Sequence, residues 1–318
     1  METKKMNHHT SEPLIVVTNA NSTKAKSIEA EVLRPLEKCG IEFTRFKTRF
    51  RLADDNVKDF LDYLPEKSRV ISAAGDGTAE QLATAALQKE GLTLGVLPYG
   101  NYNDTALSHM DKNQTVLDFV HDDVSYIVRK PMTIEINGEH VSESFSYATF
   151  GLTALIAAGF RDEASRERMR MASPMRRTIL RYGQAGLDYL KYAGNKLPDF
   201  RVDDTMTQSG RTDLAFTNNP TVARLLRFED TYFDKDYFGA RTDLDMKSLH
   251  DLATFGVPSL FGKAPLDSVE EMRVQFEHTA HKLPFQSGGE YQEIDADSVY
   301  VYKDPAKKVT YLHPKRAS

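Results

Sequence analysis

The sequence predicts an α/β protein of two domains, an N-terminal three-layer α/β domain followed by a β-sandwich-like one. Three observations carry this. The chain has 318 residues, more than a domain of about 100–200 residues accounts for. Between Leu14 and Leu97, short apolar runs alternate with helix-patterned segments, as expected of parallel strands covered on both faces. After Pro131 the pattern turns to alternating residues and tight turns, which points to antiparallel strands.

The elements follow in order. The first dozen residues are polar and read as a tail. Leu14–Val17 is a buried strand ended by TNANSTK. Ile28, Val32, Leu33 and Leu36 then repeat at helical spacing from Ala25 to Cys39, with Gly40 as the stop. IEFTRFKTRF alternates like a strand, and a polar helix runs to about Tyr63. Arg69–Ala73 is a buried strand, AGDGT follows, and a helix covers Ala79 to about Gln88. Leu92–Leu97 is the next buried strand, followed by PYGNYND.

In MTIEINGEHV, Asn137-Gly138 sits between alternating apolar residues, the strongest short hairpin signal. Strand-like segments recur at Phe145–Phe150, Asp199–Val202, Thr212–Thr217, Met272–Phe276 and Ser298–Tyr302, interrupted by one helix at about Pro174–Tyr192. The expected domains are residues 13–130 and 131–298, with 299–318 returning to the first.

Composition excludes several classes. Lys plus Arg is 41 and Asp plus Glu is 46, a net charge of −5, so there is no general attraction to nucleic acid. Cys39 is the single cysteine, which removes intrachain disulfides and fits a reducing compartment. YATFGLTALIAAGF, Tyr147 to Phe160, is the most apolar stretch and is too short to span a bilayer. The histidines form no H-x-x-x-H or H-E-x-x-H pair, and there is no G-x-S-x-G elbow. These features suggest a cytoplasmic protein, peripheral on a membrane at most.

The chemistry concentrates in two loops. Ala74-Gly75-Asp76-Gly77-Thr78 lies between a buried strand and a helix start. Backbone N–H groups and the helix dipole favour an anion there, and glycine permits its close approach. Asp76 puts a carboxylate beside that anion, where it could hold Mg²⁺ or accept a proton. Pro98-Tyr99-Gly100-Asn101-Tyr102-Asn103-Asp104 begins twenty residues after Thr78, again just beyond a buried strand. Alone, an Asp-Gly turn is a common structural device. Two such loops at adjacent strand ends favour a nucleotide site, because open parallel sheets bind ligands at that edge.

AGDGT followed by LGVLPYGNYNDTA resembles the diacylglycerol kinase catalytic family, which includes bacterial lipid kinases and sphingosine kinases. The family pattern is GGDGT, then P-x-G-T-x-N-D. The resemblance extends to Asn19 in the first-strand loop, to Asn218 in LAFTNNP, and to Asp230 and Asp234, which resemble a metal-binding acidic segment. Gly289-Glu290 matches the end of a late D-G-E motif. It implies ATP and Mg²⁺ bound through Asn19, Ala74 to Thr78, Gly100, Asn101 and Asn103, with Asp230 and Asp234 holding a structural cation. The implied reaction is transfer of the γ-phosphoryl group to a diacylglycerol-like lipid at a membrane surface, a step of phospholipid metabolism.

The chain departs from the pattern at Ala74, at Asn101 and, most consequentially, at Gly288, which stands where the family has the Asp of D-G-E. Asp76 is the preferred catalytic carboxylate, with Glu290 and Asp104 as substitutes. Two alternatives stand beside the kinase: a nucleotide-binding member that senses or interacts without transferring phosphate, and an NAD kinase-like enzyme. A homodimer is left open.

From Arg161 to Arg181, seven arginines face three acidic residues, a local charge of +4. The stretch reads either as a solvated helical face or as a contact with anionic lipid, with Met169, Met171, Ile179 and Leu180 as its apolar part.

Overall fold

The structure is a computed structural model. It describes residues 12–314 except 20–21, 23, 49–53, 101–102, 108–109, 111–113, 121–123, 160–173, 193, 204, 206, 223–225, 229–231, 233–234, 246–249, 251–257, 259–260 and 264–265. Contacts divide the chain into two compact units, residues 1–129 with 308–318, and residues 130–307.

The first unit holds a six-stranded sheet. Its strands are β1 (Leu14–Asn19), β2 (Thr44–Thr48), β3 (Ser68–Ala74), β4 (Leu92–Pro98), β5 (Ser125–Arg129) and β17 (Val309–His313), in the order β2-β1-β3-β4-β17-β5. All neighbours are parallel except β17 and β5. Every residue of β3 is buried, as a central strand with helices on both faces requires. On one face Leu14, Val16, Ile71, Ala73, Leu97 and Leu312 join a core with Ile28, Val32, Leu33 and Leu36. Their alternates Ile15, Val17, Val70 and Val96 are buried on the other face. There, Phe46 of β2 meets Phe60 of helix α3 (Asp54–Tyr63) edge-on at 5.0 Å.

The helix expected from Ala25 to Cys39 is present with a defect. Helices α1 (Ala25–Ile28) and α2 (Arg34–Lys38) are joined through a π-helical turn, Glu29–Leu33. Pro35 explains it, because a proline in a helix lacks the N–H donor and crowds the carbonyl four residues back. Helix α4 (Asp76–Leu87) starts at Asp76, three residues before the expected Ala79. Its buried residues are Thr78, Ala79, Glu80, Gln81, Leu82, Ala83 and Ala85, with three alanines among them.

The second unit is built on one nine-stranded, antiparallel sheet. The path runs β14 (Asp267–Val269), β13 (Phe238–Leu244), β10 (Asp213–Thr217), β8 (Tyr147–Gly151), β15 (Glu271–Ser287), β16 (Glu290–Tyr302), β6 (Met132–Ile136), β7 (Glu139–Ser144), with β9 (Phe200–Val202) beside β15. Asn137 and Gly138 turn β6 into β7 with φ of 55° and 80°, the left-handed pair of a type I′ hairpin. Residues from both ends of the path, such as Ile134 and Phe238, face one contiguous core. The two short strands expected at Met272–Phe276 and Ser298–Tyr302 are parts of one long hairpin, β15–β16. Its register shifts between Gln275 and Leu283, so that β9 pairs with its first half and β8 with its last. A two-stranded ribbon, β11 (Thr221–Val222) and β12 (Leu226–Arg227), and helices α6 (Leu152–Gly159) and α7 (Pro174–Tyr192) also belong to the unit.

Candidate nucleotide site

The strand register sets three loops side by side. Thr18 pairs with Ala73 and Ala74 with Pro98, so β1, β3 and β4 end together at Asn19, Ala74 and Pro98. Neighbouring strands lie about 4.8 Å apart, which places the loop after Asn19, the Gly75 turn and the Pro98–Asp104 loop along one carboxyl edge.

Gly75 is the N-cap of α4, with φ −94° and ψ 176°, and no side chain caps the helix. The first intrahelical bond runs from Ala79 N–H to Gly75 O at 3.0 Å. The N–H groups of the first turn, Gly77 and Thr78 among them, have no intrahelical acceptor. Ala74 closes β3 outside the left-handed region, so its methyl group is accommodated in place of a glycine.

The two loops are locked to each other by Asp76. Its carboxylate accepts N–H from Asn103 at 2.7 Å and from Thr105 at 3.0 Å. Thr105 belongs to a short helix, α5 (Asp104–Leu107). Burial, and then the negative charge of Asp104, push the Asp76 pKa up to about 6, against the amide hydrogen bonds that favour its ionised form. Asn103 holds the turn from inside. At φ 58° its side chain accepts from Gly100 N–H and donates to Pro98 O at 2.9 Å. A polar side chain making its own loop's hydrogen bonds is a common reason for asparagine in the left-handed region.

Lys24 was not singled out from the sequence. Its ammonium donates to Pro98 O at 3.2 Å, which brings a cation from the loop after β1 to the end of β4. A lysine five residues beyond a strand end is too ordinary a signal to find it without the register.

The remaining nominated residues are placed as follows. Asn19 is half-buried at the end of β1, Thr78 is buried, and Gly77 and Gly100 are half-buried. Asn101, Asp230 and Asp234 lie outside the described residues, as do Arg161, Arg166, Arg168, Arg170, Met169 and Met171. Among the described residues, no group of three or more His, Cys, Asp or Glu side chains is placed to hold a metal ion.

In the second unit, Gly288 and Gly289 form the β15–β16 turn with φ of 55° and 82°, and Glu290 follows as an exposed residue paired with Ser287. The turn is of the kind an Asp-Gly pair also makes, so Gly288 removes a carboxylate without altering the hairpin. Asn218 is fully buried, its amide donating to Lys130 O and Ser144 O at 3.0 and 3.3 Å. Lys303, which no motif marks in the sequence, is a buried ammonium that donates to Tyr232 O and, at 3.0 Å, to Lys235 O.

Among the described residues, no helix is long and apolar enough to cross a membrane. No curated protein matches the chain. Among solved structures, one described as "a putative diacylglycerol kinase from Bacillus anthracis str. Sterne" is similar with a TM-score of 0.64 at 12% identity, over 96% of this chain and 99% of that one. Another, of a diacylglycerol kinase from the same organism, has a TM-score of 0.62 at 12% identity, over 95% and 97%. At that identity the likeness is one of fold, and it spans both units. Residues 13–122, which carry both loops of the site, match the diacylglycerol kinase catalytic domain. Through these residues, about a third of the chain, the protein is similar to the diacylglycerol kinase catalytic family.

Proposed function

We propose that the protein is an ATP-dependent lipid kinase that phosphorylates the hydroxyl of a diacylglycerol-like acceptor. One observation carries the nucleotide part: Asp76 ties the Gly75 turn to the Pro98–Asp104 loop at the carboxyl edge of a parallel sheet. The start of α4 suits a phosphate chain because its first N–H groups have no intrahelical acceptor, and Gly75 and Gly100 let the two loops touch, since a Cβ on either would meet the other's α-carbon. Gly75 to Thr78 would hold the phosphates, Asn19, Gly100 and Asn101 would flank them, and a divalent cation would be held with them. ATP supplies the γ-phosphoryl group, and the rest of the task is positioning and charge stabilisation.

In this reading Asp76 acts through the loops it joins. Both carboxylate oxygens already accept amide hydrogens, so its first task is to fix the cradle's shape. Glu290, exposed at the β15–β16 turn, is the second carboxylate whose part in transfer is to be tested. Gly288 supports a second reading, a member that binds nucleotide without transferring phosphate, since general-base help is worth about 10²–10⁴ in rate.

The test is transfer of labelled phosphate from ATP to a panel of lipids in mixed micelles, with NAD as a competing acceptor. Transfer to diacylglycerol that falls in Asp76→Asn and in Glu290→Gln is the expected result. Transfer to NAD would move the protein to the NAD kinase class. ATP binding without any transfer would establish the second reading.

A further inference from the structure

Helix α7 has an exposed apolar stripe. Ile179, Leu180, Leu187 and Leu190 are 62%, 42%, 65% and 75% exposed. At 100° per residue these four fall on about one third of the helix circumference, together with Gly183 and Gly186. A Cβ at either glycine would meet nothing within 4 Å, so this side of the helix is open. The opposite side is anchored. Asp188 is buried, accepts from Gln184 at both oxygens, and lies so close to Gly159 of α6 that a Cβ there would come within 2.1 Å of it. The stripe therefore faces away from the unit's packed side. Single exposed leucines are ordinary on soluble proteins, but four on one helix face mark an interaction surface.

Charge selects the partner. The helix contains Arg176, Arg177, Arg181 and Lys191 against one acid, Asp188, and that acid is on the anchored side. Arg176 and Lys191 are exposed. A second copy of this chain would set these cations against one another. An anionic bilayer surface instead offers acyl chains to the leucines and phosphates to the cations, which is the recognition used by helices lying in the interface.

We propose that α7 docks the protein on anionic membranes, with Ile179, Leu180, Leu187 and Leu190 entering the headgroup–acyl boundary and Arg176 and Lys191 at the headgroups. The proposal stands apart from the kinase reading, because docking requires neither nucleotide nor transfer.

The experiment is co-sedimentation of the full chain, without nucleotide, with vesicles of phosphatidylcholine alone or mixed with phosphatidylserine. The mixed vesicles should bind more tightly, by about fivefold for each basic residue at the surface, and added salt should weaken the difference. Leu187→Asp with Leu190→Asp, whose side chains are exposed in the fold, should weaken binding by about tenfold or more at unchanged circular dichroism and melting temperature. Arg176→Gln with Lys191→Gln should erase much of the phosphatidylserine preference while leaving the apolar contribution. Absence of vesicle binding, or binding untouched by the leucine substitutions, would overturn the proposal. So would a concentration-dependent dimer, seen by sedimentation velocity and broken by Leu187→Asp, which would identify a second copy as the occupant.

Discussion

Gly75 and Gly100 meet backbone to backbone: a Cβ built on Gly100 would lie 2.4 Å from the α-carbon of Gly75. These residues are in different loops after different strands, and a side chain on Gly100 would part the two loops. The same Cβ would stand 2.8 Å from Asn103 Oδ1, the atom that accepts Gly100 N–H.

Gly100→Ala should therefore push the two loops apart, with a loss of about 1–3 kcal/mol of stability and of most ATP affinity. Gly75→Ala, whose nearest contact would be 3.1 Å, should be milder on both counts. Thermal unfolding and ATP–Mg²⁺ calorimetry of the two variants will show the order. Equal affinity in Gly100→Ala and wild type would exclude this cradle as the nucleotide site.

Asp76→Asn replaces one of two acceptors with an N–H₂ donor that faces a backbone N–H. A cost of about 1–3 kcal/mol is expected, together with weaker ATP binding. If Asp76 only transferred a proton, kcat would fall while ATP affinity stayed constant, so calorimetry beside kinetics separates the two roles.

Asp213 predicts a pH dependence. It is fully buried, accepts N–H from Thr153 at the start of α6 at 2.9 Å, and its Oδ2 has no hydrogen-bond partner. Burial pushes its pKa from 3.8 up to about 7. A carboxyl whose folded pKa is raised holds its proton more tightly folded than unfolded, so this group's contribution is fully present below pH 3.8 and is lost as pH rises to about 7. Asp213→Asn removes the charge and keeps an oxygen for Thr153. It should raise stability at pH 8 by about 2–4 kcal/mol and by little at pH 4. Denaturant midpoints at the two pH values test it, and a uniform loss at both would contradict the assignment.

Gly288→Asp restores a carboxylate at a turn position whose φ of 55° asparagine and aspartate tolerate. With melting temperature unchanged, phosphate transfer to lipid should rise by about tenfold or more. An unchanged rate would mean that this carboxylate is not what limits the reaction.

Lys303→Met should lower stability by about 1–3 kcal/mol, because two carbonyls would lose their buried charged donor. Differential scanning calorimetry reads this directly, and a stability equal to wild type would show that the carbonyls find other donors.

The strands β1, β3 and β4, the Asn137-Gly138 hairpin and helix α7 were legible in the sequence because each depends on neighbours a few residues away. Apolar runs bounded by Gly and Asp, or apolar spacing of three and four, are local signals. The two glycine-containing loops stood out as a candidate site for the same reason, since each combines a strand end with a turn. The long β15–β16 hairpin was not, because exposed Glu277, His278 and Thr279 interrupt its alternation where the register shifts. The tertiary structure alone decided what Asp76 touches. Asn103 and Thr105 lie 27 and 29 residues away in sequence, and only the parallel pairing of β3 with β4 brings their amides to its carboxylate. The same holds for Lys24 and Pro98, 74 residues apart. Residue types and loop chemistry are local properties of the chain, whereas a carboxylate's hydrogen-bond partners depend on which strands become neighbours.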